Sequence, residues 1–473
     1  MSASESVIGK DPRRIQGKPE RTQIQEGERM ACLLEPKEDS SRKAISYSKF
    51  YAGKVTVAPN VPVRSLADFS IWYTPGVAAV SKLIESDPDL SFDYTGRWNT
   101  VAVVTDGSRV LGLGNIGPEG ALPVMEGKAL IYNYLGGVNA IPLPARVGSE
   151  EELISFVKAL EPSLGGVNLE DIESPKCFEV LDRLRGEMKI PVWHDDQQGT
   201  AGVTLAALYN ALELTERKLR GSRIVLFGAG AANVAAERLL VKAGADPKDL
   251  IVLDSKGILH PEREDIDKLM LRNKWKHEIA LRTNGDRVTG GLKEALDGAD
   301  ALVAAAGQGP EMIKPDELAG MNKRGIAFFL ANPVPEMLPP AALDAGAEIV
   351  ATGRSDYPNQ VNNSLLFPAI FRGALDVRAK TITDTMVIEA AKELAAFARA
   401  KGLSRNYIIP TMLEWEMYPK VAATVGQAAV KEGVARRKLS KKESLSAATE
   451  MIEHSRKVMN SLRRNGVILD PPS

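Results

Sequence analysis

The chain has 473 residues, 44% hydrophobic and 26% charged, which excludes a single small module and excludes disorder along the whole length. At roughly 150 residues per domain it divides into about three domains or two large ones with decorations. Lys plus Arg number 60 and Asp plus Glu 61, a net charge of −1, so no net field draws the chain to nucleic acid or an anionic membrane. Its partners are expected to be small molecules or copies of itself.

Residues 1–45 are rich in charge, Ser and Gln without sustained periodicity, and read as a weakly ordered arm. The opening MSASESVIGKDPRRIQGKPE lacks the apolar core of a signal peptide, and Glu5, Asp11 and Glu20 argue against a transit peptide. No apolar run approaches the ~18 residues of a membrane span. Cys32 and Cys177 lie too far apart in sequence for a disulfide framework, which suits a reducing compartment and points away from thiol chemistry. These features predict a soluble, cytoplasmic protein.

Over residues 46–214, apolar stretches such as VAVV (101–104) and IPLPA (141–145) alternate with helical ones such as EEELISFVKAL (150–160), the rhythm of α/β layering. A helix-forming run at 200–214 leads to a polar joint at 215–222, where a domain boundary is expected. RIVLFGAGAANVAAERLLVKAG (223–244) then reads as strand, glycine turn and amphipathic helix. Strands follow at LIVLDSKG (250–257), ALVAAA (301–306), IAFFLA (326–331) and AEIVATG (347–353). Residues 215–382 are therefore expected to form a Rossmann-type doubly wound parallel sheet, and 383–473 a helical C-terminal extension. The predicted fold is two α/β domains.

Gly228, Ala229, Gly230, Ala231 and Ala232 match the first two-thirds of G-x-G-x-x-G, a turn that lets a pyrophosphate approach the backbone at a helix N-terminus. Asn233 occupies the third glycine position, which puts the close packing of helix on strand in doubt. Asp254, 26 residues after Gly228, is placed to accept from a ribose 2′-hydroxyl and favours NAD. Lys256 pulls towards a 2′-phosphate, so NADP stays open.

Two acidic pairs stand in apolar surroundings: Glu170 and Asp171 in VNLEDI, and Asp195 and Asp196 in PVWHDDQQGT. Adjacent acids often do no more than cap helices, but four carboxylates brought together repel unless a cation lies between them. Oxygen-only ligands suit Mg²⁺ or Mn²⁺, and no second histidine stands near His194 at zinc-ligand spacing.

With these pieces in hand, residues 49–437 resemble the malic enzymes, in their shorter bacterial and archaeal form. The matching runs are YTPGVA (73–78), TDGSRVLGLGNIGPEGALPVMEGKALIY (105–132), VNLEDI, HDDQQGTA (194–201), GAGAA (228–232), ANPVPE (331–336) and GRSDYPNQVNN (353–363), in the family's order. The resemblance implies oxidative decarboxylation of L-malate to pyruvate and CO₂ with NAD or NADP and Mg²⁺ or Mn²⁺. It further implies that Glu170, Asp171 and Asp196 hold the metal with Asp195 in support, that Lys128 is the general base and Tyr73 the general acid, and that Arg109 binds malate's carboxylate. Asn332, Asn362 and Asn363 would contact malate or the nicotinamide end, and the family implies a homodimer or higher oligomer.

A lysine base with an ordinary pKa of ~10.4 would be charged at neutral pH, so the Lys128 pKa is expected to fall, with burial and the neighbouring positive metal and Arg109 disfavouring the ammonium. The final helix, about 440–473, exceeds the usual short form. Its apolar Leu445, Ala448, Met451 and Ile452 suit either a subunit contact or their own core. Two other readings stay open: a malate-decarboxylating lyase that holds NAD without net reduction, and a nucleotide-binding scaffold.

Overall fold

The computed structural model describes residues 38–307 and 309–471; Cys32 and most of the expected arm lie outside them. The first helix among the described residues is α1 (Glu38–Tyr51), which starts ahead of residue 46. Two short helices follow, α2 (Leu66–Trp72) and α3 (Val77–Ser86), and neither buries a residue.

The first sheet contains β1 (Thr100–Thr105), β2 (Asn139–Pro144), β3 (Gly166–Leu169) and β4 (Val192–His194), all parallel, in the order β2-β1-β3-β4. TVAVVT and GVNL are buried nearly throughout, as expected for parallel strands covered on both faces, which is why they show no polar alternation. Helix α4 (Gly117–Gly136) carries the chain from β1 to β2, and α5 (Lys176–Glu187) from β3 to β4. Helix α6 (Thr200–Leu214), almost wholly buried, leads out of this sheet.

The second sheet has β5 (Ile224–Phe227), β6 (Leu250–Asp254), β7 (Gly257–Ile258), β8 (Ala301–Ala304), β9 (Gly325–Phe329) and β10 (Ala347–Thr352) in the order β10-β9-β8-β5-β6-β7. All neighbours are parallel except β6 and β7, a short hairpin. Helix α7 (Ala231–Ala243) joins β5 to β6, and α8 (Lys274–Arg282) lies between β7 and β8 in the chain. Asn233 does not loosen this unit. It is buried, and its Nδ2 donates to the Phe227 carbonyl at 3.0 Å and the Val303 carbonyl at 3.2 Å, tying the first turn of α7 to two strands.

Four long helices complete the chain: α9 (Phe367–Asp376), α10 (Asp384–Lys401), α11 (Met417–Lys431) and α12 (Lys441–Arg464). Every residue of α9 is buried, including Arg372, which donates to Asn99 Oδ1 at 2.7 Å and pairs with Asp376 at 2.6 Å. A charge so deep is tolerated only when paired in this way. Helix α12 starts from a capping box, the Glu443 carboxylate accepting from the Ser440 N–H at 2.8 Å while Ser440 Oγ accepts from the Glu443 N–H at 3.3 Å. Of the four apolar residues named on this helix, Ala448 and Ile452 are fully buried against the chain's own core, Met451 is half-buried and Leu445 stays on the surface. The fit is close at Gly137, which ends α4 with φ +61°. A Cβ there would lie 2.7 Å from the Met451 carbonyl oxygen. Among the described residues no helix is long and apolar enough to cross a membrane.

Because Ile452 fills a fully buried space against the helix that carries Lys128, Ile452→Ala should destabilise the fold by about 2–5 kcal/mol, read as a lower melting temperature. Unchanged melting would show that α12 is not part of the core.

Candidate active site

The acidic pairs fall where parallel α/β sheets place their ligands, just beyond the carboxyl ends of strands. Glu170 and Asp171 follow β3. Asp195 and Asp196 follow β4 and open a wide helical turn, Asp195–Gly199, that runs into α6. Carboxylate oxygens of Glu170, Asp171 and Asp196 all lie within 4.8 Å of one another.

Each acid is held in place by neighbours. Glu170 accepts from Asn168 Nδ2 at 2.9 Å, and Asn168 Oδ1 in turn accepts from the Tyr132 hydroxyl at 2.8 Å. Asp171 has a left-handed backbone, φ +55°, which a short polar residue tolerates better than most. Its carbonyl accepts from the Arg109 N–H at 3.0 Å, its Oδ1 from the Leu111 N–H at 3.1 Å, and its own N–H donates to Asp196 at 2.9 Å. Asp195 is buried, with Oδ1 accepting from Trp193 Nε1 at 2.9 Å and Oδ2 from the Lys128 ammonium.

Lys128 enters from α4, its Nζ 3.1 Å from Glu170, 3.4 Å from Asn363 Oδ1 and 4.5 Å from the Phe367 ring centroid. One cation thus faces four acids. Burial raises the Glu170 carboxyl well above its ordinary range, with Lys128 opposing and Asp196 adding to the rise. Burial and then Asp196 push Asp171 to about 7. Asp195 is raised by burial, with Lys128 opposing. Within the chain alone the Lys128 pKa does not fall. Burial would lower it, but the charges of Asp195 and Glu170 outweigh burial and move it upward, stabilising the ammonium.

The donor set fits a hard divalent ion. Its oxygens are carboxylates, the negative charge exceeds what Lys128 answers, and Asp171 Oδ2 is buried with no hydrogen-bond partner among the described residues. His194 is fully buried beside them, lowered to about 4 by that burial, and so is neutral. Sequence reading missed the residues that brace this cluster. Besides Asn168 and Trp193, Asp106 at the end of β1 accepts from Lys176 Nζ at 2.5 Å and from the Ser108 hydroxyl at 2.6 Å. An acid directly after a parallel strand was the available signal.

The other predicted residues divide. The Arg109 side chain is exposed beside the pinned Asp171 backbone and makes no hydrogen bond or ion pair among the described residues. Asn332 and Asn362 meet at Gly353, Asn362 Nδ2 donating to its carbonyl at 3.3 Å, while a Cβ on Gly353 would lie 2.5 Å from Asn332 Nδ2. Asn363, next along the chain, reaches Lys128. Glu336, not singled out from sequence, is buried and accepts from the Ala306 N–H at 3.0 Å and the Ala331 N–H at 3.2 Å, joining the loops after β8 and β9. Tyr73 stands apart: it follows α2, is 68% exposed, and shares no contact with Lys128 within the chain.

The glycine turn has the form expected for a pyrophosphate. Gly228, φ +97°, passes so close to the neighbouring strand that a Cβ would lie 2.5 Å from the Ala305 carbonyl oxygen, whereas Gly230, before α7, has open space around it.

Two family models match: malic enzyme, N-terminal domain, over residues 52–151, and malic enzyme, NAD binding domain, over residues 197–430. The bifunctional malic/malolactic enzyme of Bacillus subtilis is 45% identical over 394 residues, 83% of this chain and 94% of that protein. The NADP-dependent malic enzyme of Halomonas elongata is 41% identical over 416 residues, 84% of this chain and 96% of that protein. Among solved structures, the malic enzyme of Entamoeba histolytica superposes with a TM-score of 0.89 at 43% identity, covering 95% of this chain and 93% of the other. That of Pyrococcus horikoshii gives 0.83 at 47%, covering 87% and 95%.

In the folded, cation-free chain Asp171 keeps its proton up to about 7, against an ordinary 3.8 once unfolded. A raised carboxyl contributes stability that is complete below the unfolded value and lost as pH rises through the folded one. Without divalent ion, the melting temperature should therefore fall between about pH 4 and pH 7, and fall less in Asp171→Asn. An equal fall in both proteins would remove Asp171 as the cause.

Proposed function

The chain belongs to the malic enzyme family, and from that premise we propose that it oxidatively decarboxylates L-malate to pyruvate and CO₂, passing hydride to NAD or NADP. The observation that carries this reading is the convergence of Glu170, Asp171 and Asp196 beside Lys128. These three acids would hold Mg²⁺ or Mn²⁺, which as a Lewis acid supplies polarisation of the substrate's C2 oxygen.

The chain's own groups then divide the work. Arg109, exposed and anchored through its backbone to Asp171, takes a malate carboxylate. Lys128 accepts the C2 hydroxyl proton as the C2 hydride leaves for the nicotinamide. To serve as a base it must shed the proton that Asp195 and Glu170 stabilise, so their negative charge has to be answered by a second cation. The C3–C4 bond of the resulting keto acid breaks with loss of CO₂, and the enolate left behind takes a proton at C3 from Tyr73 to give pyruvate. Asn332, Asn362 and Asn363 line the nicotinamide end, and residues 228–232 with the α7 N-terminus receive the pyrophosphate.

Tyr73 can do this only if something brings it to an acidic cluster. Helices α2 and α3 leave Leu66, Phe69, Ile71, Trp72, Val77 and Leu83 exposed, an apolar surface of the kind that marks a protein contact. We read the enzyme as a homodimer in which a second copy covers these helices and the Tyr73 of one chain completes the site of the other.

In an assay with malate and Mn²⁺, the expected result is pyruvate together with rising 340 nm absorbance. Product without net NAD(P)H, lactate in particular, would replace this reading with the malolactic reaction in the name of the Bacillus subtilis relative. Asp196→Asn should raise the Mn²⁺ concentration needed for activity by about tenfold or more, and an unchanged titration would remove it from the ligand set. Dimers re-formed from equal amounts of inactive Tyr73→Phe and Lys128→Ala chains should recover about a quarter of wild-type activity, because half the dimers then hold one intact site. No recovery would place Tyr73 in its own chain's site.

A further inference from the structure

Among the residues that end β4 and open the acidic turn, one has no task in the proposed reaction. His194 is the last residue of β4 and is fully buried, yet neither of its ring nitrogens has a hydrogen-bond partner among the described residues. A buried imidazole is costly unless its donor is met, whereas an apolar side chain of similar size is not. Its Nδ1 lies 3.6 Å from Asp196 Oδ2, which is about 0.6 Å beyond an ordinary hydrogen bond.

The residue before it shows what such a neighbour does. Trp193 donates from Nε1 to Asp195 Oδ1 at 2.9 Å, so a ring at the strand end braces the acid two positions on. His194 stands in the same sequence relation to Asp196. A neutral imidazole has one ring proton. Carried on Nε2 it would be an orphaned buried donor, whereas on Nδ1 it faces a carboxylate, and the tautomer is thereby set.

The braces on the two neighbouring acids differ in charge. Asp195, which is not one of the three acids that gather for a cation, is held by the Lys128 ammonium, whereas Asp196 Oδ2 accepts from a neutral group, the Asp171 N–H at 2.9 Å. A cation paired with Asp196 would repel a divalent ion, and a neutral donor fixes the carboxylate without that repulsion. We propose that His194 is a positioning residue for Asp196: Nδ1–H closes onto Oδ2 beside the Asp171 N–H when a divalent ion occupies the cluster, leaving the other oxygen free for the ion. The assignment rests on the metal-binding reading proposed above and adds a residue outside its ligand set.

Calorimetric titration of the full chain with Mn²⁺, in the absence of malate and dinucleotide, tests this without turnover. His194→Leu, close in volume but without a donor, should weaken Mn²⁺ binding about tenfold or more, while the melting temperature of the cation-free chain stays the same or rises because an unmet buried polar group is gone. His194→Asn, whose amide nitrogen falls near the place of Nδ1, should stay within about threefold of the unaltered chain. In an Asp196→Asn background the leucine substitution should have no further effect, a coupling that a role in packing alone does not produce. Should the leucine variant fail to fold, His194→Gln carries the comparison: its amide nitrogen falls near the place of Nε2, and Mn²⁺ binding should weaken as much. Unchanged Mn²⁺ affinity in the leucine or glutamine variant, or an equal loss in the asparagine variant, overturns the assignment while leaving the ligand set intact. An unaltered chain that binds no Mn²⁺ overturns both.

Discussion

Mutual repulsion among Glu170, Asp171, Asp195 and Asp196 is the constraint around which the first sheet and its loops are organised. Four acids gathered beyond two adjacent parallel strands would spread apart or protonate if their surroundings allowed. Backbone N–H groups from the loop after β1 pin Asp171, the Tyr132–Asn168 chain orients Glu170, and Trp193 and Lys128 clamp Asp195 from opposite sides. The acids are thereby held together at the cost of raised carboxyl pKa values, a repulsion that a small, doubly charged cation would relieve.

The same constraint explains why the two sheets cannot be treated as independent modules. The turn that carries Asp195 and Asp196 runs directly into α6, the helix leading to the second sheet, and Asn363, beyond β10, reaches back to Lys128. Buried α9 then packs beside the first sheet, with Arg372 donating to Asn99 just ahead of β1. Acid cluster and glycine turn each lie at the carboxyl edge of a parallel sheet, where strand ends and helix N-termini leave backbone groups free for ligands.

Charge is distributed in opposite senses along the site. Around Glu170 carboxylates outnumber the single Lys128, whereas around Asp254 two lysines and Arg263 outnumber the acids. The apolar side chains of α2 and α3 follow a different logic, since none of them is buried within the chain.

Much was legible from sequence because it depends on local pattern. Unbroken apolar runs announced the parallel strands, the glycine turn announced a helix N-terminus beside a strand, and the acidic pairs after VNL and VWH announced a carboxylate cluster. Pattern could not show the direction of the Lys128 shift, which depends on how many carboxylates face one ammonium once α4 brings Lys128 to the ends of β3 and β4. Nor could it show that Asn233 would bridge two strands, that Asp254 would be surrounded by cations, or that Tyr73 would stand clear of the cluster within its own chain. Residue type and spacing are properties of neighbours along the chain, and they fix which chemistry is available. Protonation, ion pairing and access depend on groups brought together from distant segments, so only the tertiary structure decides them.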